Sequence, residues 1–366
     1  MFVVSRLAAA IPAALLLLAF PADGLAQPDG GLRKLHEFTH DGWVGGAAYS
    51  TDGALLATCG SDLLFRARDL QTGDEKAVLK IVPNVKNPTL ESDAASRELT
   101  VLLPWGKGTW LIRRPGESSG YEVWNPANKK LGPVYAIPST VLGLHPTGPE
   151  SVLALTSGAN DGGGKLTLWD VKSKKKMRTF DGPKQPAQFL RFAPDGKKLL
   201  TYSSGDRSTR VWDLGTGREL YQLGGADHIN AAAISRDGKR AVTGMTDIRV
   251  WDLETGKEVR KIDVFGQEGY MPGPRSVAIS PDGTRALALA TFRQASQTLW
   301  LLDLDTGKAV ASVTRPYKNA VGLAPQAVEF APDGKTAVTY RGPVPPPLAT
   351  DVVTATVWEV TPAGGK

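Results

Sequence analysis

The sequence predicts an all-β fold: a seven-bladed β-propeller of four-stranded antiparallel blades, the last blade completed by a strand from the mature N-terminus. Three observations predict it. A Trp-Asp phrase ends an apolar strand pattern as Thr-Leu-Trp-Asp at 167–170 and as Arg-Val-Trp-Asp at 210–213 and 249–252, with echoes at 301–304 and 357–360. A turn phrase precedes most of these, at Asp52-Gly53, Asp195-Gly196, Asp237-Gly238, Asp282-Gly283 and Asp333-Gly334. The full Trp-Asp copies stand 43 and 39 residues apart, from Trp169 to Trp212 to Trp251, and this period belongs to propeller blades rather than to helical repeats.

The unit at 187–223 shows how one blade is built. Residues 188–192 form a short strand, and Pro194, Asp195 and Gly196 turn the chain, because Pro pre-sets φ and Gly tolerates positive φ. Residues 198–202 return as the second strand, 209–212 make the third, and after a turn at 214–217 the fourth spans 219–223. Such a sheet is covered on both faces by its neighbours, so the Trp that closes each third strand is expected to wedge between blades, each burying about 150 to 250 Å². Trp124, Trp169, Trp212, Trp251 and Trp358 are the expected blade core. Arg68 and Leu302 occupy the same marker position in the first and sixth units, giving seven in all. In the second unit both 109–113 and 121–124 read as strands, and either can be its third.

The ends complete the count. The seventh unit runs out after 357–360, while residues 31–38 match the fourth-strand pattern of 217–223. The N-terminal strand would therefore close the last blade and remove an exposed seam, which matters because unpaired strand edges invite aggregation.

Ahead of this domain, residues 1–26 read as a cleaved secretory signal: Arg6 opens it, 7–20 is an apolar run of 14, and Gly24-Leu25-Ala26 ends it in small residues. The run is shorter than the roughly 20 residues a membrane span needs. Residues 27–30 are a short linker, 31–361 the propeller and 362–366 a tail. The mature chain would be a periplasmic or extracellular monomer, not stably inserted in a membrane. It keeps the net charge of +6, since Arg6 and Asp23 cancel. Its basic residues are scattered through turns, and export removes most nucleic acid from reach, so nucleic-acid binding is not expected. Cys59 is the single cysteine, within an apolar run, and no internal disulfide can form.

The Trp-Asp endings, the Pro-Asp-Gly turns and the period together resemble the WD40 family of β-propellers over residues 31–361, and the sixth unit is equally similar to TolB-like propeller repeats. The resemblance implies a hydrogen-bonded set of Trp, Ser/Thr, His and Asp within a blade. No unit shows it complete. His40 and Asp62 fit the first unit, but Arg68 replaces its Trp; Asp206 and Trp212 lack a His; His228 and Trp251 stand with Asp247 only four residues before the Trp.

No catalytic constellation emerges. His36, His40, His145 and His228 do not have metal-ligand spacing with Cys or carboxylates, so no metal or cofactor is implied. Gly116-Glu117-Ser118-Ser119-Gly120 matches G-x-S-x-G only formally, because that motif needs a strand, a sharp elbow and a helix. The Gly-rich stretch at 160–165 lacks the first Gly and the Ser/Thr of a phosphate loop.

Insertions point instead to a binding face. In an up-down-up-down blade the second-to-third connection and the link to the next blade lie at the same end of the strands. The former is four residues in unit five (244–247), but eight in unit six (290–297), fourteen in unit seven (341–354) and up to seventeen in unit two (104–120); links at 263–273 and 314–326 are also long. Trp105, Trp110, Arg113 and Arg114 lie on this arc in unit two, and Tyr270, Arg275, Phe292, Arg293, Arg315, Tyr317 and Arg341 around units six and seven. Aromatic and Arg side chains dominate protein-binding hot spots. The expected function is a noncatalytic, exported scaffold binding an unidentified protein through this arc. The alternative is a propeller enzyme or a glycan or small-molecule site in the central channel.

Overall fold

Turn chemistry sets the strand pattern. The computed structural model of the chain describes residues 31–41, 44–60, 62–80, 102–106, 108–113, 120–128, 130–136, 141–148, 151–157, 165–170, 173, 175–181, 187, 189–203, 205, 207–224, 229–263, 273–292, 296–316, 327–340 and 354–361. After β1 (Leu32–Thr39), sheet one comprises β2 (Val44–Tyr49), β3 (Leu55–Gly60), β4 (Leu64–Asp69) and β5 (Glu75–Lys80). Sheet two has β6 (Leu102–Gly106), β7 (Thr109–Arg113), β8 (Gly120–Asn125) and β9 (Lys130–Ala136); sheet three has β10 (Val141–Gly148), β11 (Ser151–Ser157), β12 (Lys165–Asp170) and β13 (Lys175–Asp181). Sheet four has β14 (Phe189–Phe192), β15 (Lys198–Ser203), β16 (Ser208–Asp213) and β17 (Glu219–Leu223); sheet five has β18 (Ala231–Ile234), β19 (Arg240–Gly244), β20 (Ile248–Asp252) and β21 (Lys257–Ile262). Sheet six has β22 (Ser276–Ile279), β23 (Arg285–Phe292), β24 (Ser296–Asp303) and β25 (Ala309–Pro316). Sheet seven joins β26 (Ala327–Phe330), β27 (Thr336–Tyr340) and β28 (Thr354–Val360) to β1. Every pairing is antiparallel, and no helix occurs among the described residues. Both candidate strands of the second unit exist: 109–113 lies in β7 and Tyr121 to Trp124 in β8, the third strand.

Three of the first-to-second turns are held by the same small network. Ser235 Oγ donates to Asp237 Oδ1 at 2.7 Å and accepts from the Arg240 N–H at 2.9 Å, and the Lys239 N–H reaches Asp237 Oδ1 at 3.0 Å. Ser50 with Asp52 and Ser280 with Asp282 repeat it. Gly238 takes φ of 68°, a left-handed conformation that a Cβ would strain. The Asp of the Trp-Asp phrase is likewise a turn residue. Asp252 Oδ1 accepts from the Glu254 N–H at 2.7 Å, while its carbonyl accepts from the Gly256 N–H at 2.8 Å.

These contacts have a pH consequence. Main-chain N–H donors hold the carboxyls of Asp69, Asp213, Asp252 and Asp303 below their usual value. A depressed folded pKa stabilises the fold above the unfolded value of about 3.9, and that contribution is lost as the pH falls through the folded pKa. The thermal midpoint should therefore fall on acidification below about pH 4. Replacing Asp213, Asp252 and Asp303 together by Asn, which keeps the acceptor oxygen and removes the charge, should flatten that acid limb in calorimetry. An unchanged limb would reject the assignment.

The sheets contact one another in series through their first strands: β2 with β6, β6 with β10, β10 with β14, β14 with β18, β18 with β22 and β22 with β26, while β2 also meets β27. The tryptophans fill the spaces between sheets. Trp124 packs with Phe65 and Ala67 of sheet one, Trp212 with Leu168 and Phe180 of sheet three, Trp251 with Tyr202 and Val211 of sheet four, and Trp358 with Leu289 and Leu301 of sheet six. Leu302, in the same register position, packs between sheets five and six. Trp169 is half-buried.

Every third-to-fourth pairing carries a register shift beside the marker residue, from Arg68 in sheet one to Trp358 in sheet seven. Such bulges strengthen the local twist. The outer strand of one sheet also clasps the third-to-fourth turn of the next: His36 Nε2 meets Leu70 O at 3.0 Å, Arg178 Nη1 donates to Thr216 O at 3.0 Å and Tyr221 Oη to Glu254 O at 2.5 Å. β1 pairs along β28 from Leu32 opposite Val360 to Thr39 opposite Thr354, and Gly31 N donates to Thr361 Oγ1 at 2.7 Å.

Candidate interaction surface

Antiparallel up-and-down sheets place the connections 81–101, 114–119, 263–275, 293–295, 317–326 and 341–353 at one end of the strands, and the short Asp-Gly turns at the other. The 21-residue link between β5 and β6, residues 81–101, was not among the insertions read from the sequence. Its length alone carried the signal.

Several candidates stand elsewhere than expected. Trp110 is fully buried in β7, its ring 5.7 Å from that of Trp124 and tilted 36° to it, with its Nε1 donating to Ala48 O at 3.2 Å. It belongs to the core, not to a binding loop, because Ala48, Ala57, Ala67 and Ala77 of sheet one leave room for a second indole. The expected loop 104–120 is the β6–β7 hairpin followed by a short connection, with Trp105 in β6 and Arg113 ending β7. The expected loop 290–297 is likewise strand: Thr291 pairs with Gln297 and Phe292 with Ser296. Arg315 lies in β25 opposite Gln297, so the link into sheet seven starts later than expected, at 317. Arg275 is exposed, its N–H donating to Leu289 O at 2.8 Å. Arg114, Tyr270, Arg293, Tyr317 and Arg341 lie outside the described residues, as do the leader 1–26 and His228.

The buried polar groups are structural. In sheets four, five and seven the marker Trp donates its Nε1–H to a second-strand Thr: Trp212 to Thr201 at 2.9 Å, Trp251 to Thr243 at 2.9 Å and Trp358 to Thr339 at 3.0 Å. In sheet one Arg68 takes over this donation, its Nη1 reaching Thr58 Oγ1 at 2.9 Å. Thr58 in turn meets His40 Nε2 at 2.9 Å, and His40 Nδ1 meets Asp62 Oδ1 at 2.9 Å. The consistent direction runs Arg68 to Thr58 to His40 to Asp62, with His40 protonated on Nδ1, assigned from the donors rather than observed. Burial opposes ionisation of Asp62, but its contacts with His40 and two main-chain N–H groups hold its carboxyl below the usual value. The Arg68 guanidinium also lies 4.7 Å from the Phe38 ring of β1 and 3.5 Å from Glu75. The sequence named His40 and Asp62 but not Thr58, whose role depends on packing.

Among the described residues no three His, Cys, Asp or Glu side chains are grouped to hold a metal ion. Cys59 is fully buried, and loss of hydration pushes its thiol far up from its ordinary value, which makes it inert at neutral pH.

The family model described as WD domain, G-beta repeat matches residues 32–66 and 174–213. Protein groucho of Drosophila melanogaster is 28% identical over 150 residues, which cover 38% of this chain and 19% of that protein. Angio-associated migratory cell protein of Homo sapiens is 32% identical over 108 residues, covering 28% of this chain and 23% of that protein. The chain thus spans about a fifth to a quarter of the length of these curated relatives. Each matched segment starts on an outer strand, β1 or β13, and runs into the third strand of the next sheet. Turn chemistry, tryptophan register and family model agree: the chain carries WD40 repeats at residues 32–66 and 174–213.

Proposed function

We propose that the seven sheets are the blades of one propeller closed by β1, and that the protein is an exported, noncatalytic scaffold binding a partner protein at its long-connection end. One observation carries this: one end of the strands bears short turns, five of them Asp-Gly turns whose Asp accepts a main-chain N–H, while the other bears connections of 10, 13 and 21 residues. Such turns engage their own polar groups, whereas long connections leave side chains for contact, and binding residues concentrate on such segments over a rigid scaffold. WD40-repeat proteins generally act as protein-interaction scaffolds, which supports the reading. The leader pattern at 1–26 supports export to the periplasm or beyond. The series of first-strand contacts, the β1–β28 pairing and the His36 clasp support a monomeric closed ring.

Crosslinked capture from the cell-envelope fraction tests the surface. Replacing Arg275, Tyr317 and Arg341 together by Ala should reduce the captured partner at least about tenfold, as expected when a few hot-spot side chains carry binding. Replacing Lys257 and Lys335 at the short-turn end should leave it unchanged. Equal capture by both variants would sink the proposal.

A further inference from the structure

The outer strands share a feature at the level of the marker residue. The extra residue of a bulge has no partner across the ladder, and in sheets three, four and five that residue is apolar: Met177, Leu220 and Val259. All three project outward, Met177 and Val259 being 56% exposed and Leu220 37%. They follow one another along a continuous rim, because the residue after each of them rests on the third-to-fourth turn of the next sheet: Arg178 on Thr216 and Gly217, Tyr221 on Glu254 and Gly256, and Arg260 on Gly307.

Charge singles out one stretch of that rim. Around Val259 the charges balance internally, with Glu258 3.7 Å from Arg249 and Lys261 3.0 Å from Asp247. Beside Leu220, Glu219 lies 3.6 Å from Arg210. The edge along β13 differs. Residues 171–180 contain no carboxylate, and Lys175, Lys176 and Arg178 are exposed on either side of Met177. Among the described residues neither lysine has an ion-pair partner. Asp170, opposite Lys175, accepts the Ser173 N–H at 3.0 Å. Arg178 is held on Thr216 O, and the exposed Arg218 and Leu220 of sheet four come next along the rim.

The bulge interrupts the ladder and lysines line the edge, and both oppose the addition of a further strand. A soluble polyanion would engage the cations and leave Met177 and Leu220 in water. A surface that carries negative charge over an apolar layer satisfies both kinds of side chain. We propose that the rim of sheet three, centred on Met177, is a peripheral docking site for an anionic lipid surface. Lys175, Lys176 and Arg218 would meet the headgroup phosphates, while Met177, unbranched and adaptable, would enter the boundary between headgroups and acyl chains. The site uses the contact of sheets three and four alone. It depends neither on closure of the ring nor on the partner-binding end.

Co-sedimentation of the full chain with vesicles tests it, using phosphatidylcholine alone and phosphatidylcholine with about one-third phosphatidylglycerol, on which each nearby cation adds about fivefold. The neutral vesicles give the baseline for any contribution of the apolar run at 7–20. Partitioning should be at least about tenfold stronger on the anionic vesicles and should weaken as salt is raised. Lys175→Glu with Lys176→Glu should lower it at least about tenfold. Lys257→Glu with Lys335→Glu, the same change of net charge elsewhere on the surface, should leave it within about twofold. Met177→Gln should weaken it about threefold or more with its salt dependence unchanged, a loss that binding of a soluble polyanion would not produce. Every side chain altered is exposed, and unchanged melting of each variant checks that the fold is intact. Equal partitioning on both kinds of vesicle, equal losses in the two charge-reversed variants, or full binding by Met177→Gln would each overturn the proposal.

Discussion

Trp110→Ala is expected to lower stability by about 3–5 kcal/mol, the usual loss for deleting a buried indole. The side chain is completely enclosed, packs at a tilt against Trp124 and faces four alanines of sheet one, so little can collapse into the void. It also leaves the Ala48 carbonyl without the indole donor at 3.2 Å. Denaturant unfolding should show a lower midpoint with an unchanged slope. Partner capture by the folded fraction should be unaffected. A variant of normal stability that loses its partner would instead return Trp110 to the interaction surface.

Removing β1, Leu32–Thr39, should have a larger effect and take away most of the net stability of the fold, on the order of 5 kcal/mol or more. The deletion strips the pairing along β28, the Phe38 ring against the Arg68 guanidinium and the His36 clasp on the next turn. It also bares one whole edge of β28, which invites association between chains. Size-exclusion chromatography should find the truncated protein aggregated, and limited proteolysis should cut it rapidly. A truncated chain that stays monomeric and resistant would show that β28 does not need this partner.

The sequence and the structure agree where the determinants are local. A Ser, an Asp two residues on and a Gly after it make a turn from their own hydrogen bonds, so Ser235, Asp237 and Gly238 are readable without tertiary knowledge. The marker tryptophans are readable because their spacing repeats. Sheet two was harder: Pro104, Gly106 and Gly108 read as loop residues, yet they sit in or beside a hairpin whose bulge at Trp105 absorbs them. Trp110 shows a second limit, since a buried aromatic and an interface aromatic look alike in sequence. What separates them is the set of alanines on another sheet. Thr58 was out of reach for the same reason, because its partners Arg68 and His40 stand on or next to other strands and only register brings them to it.

The hydrogen bonds joining Gly31 to Thr361 fix a direction as well as a seam. Residue 361 follows the end of a third strand, so this junction lies at the level of the short turns, while the long connections emerge from the opposite end. Anything attached ahead of residue 31 or beyond 361 therefore holds the molecule by its smooth end and presents the elaborated end outward. A tether, a fused domain or a surface linkage placed there would set orientation without touching the proposed contact residues.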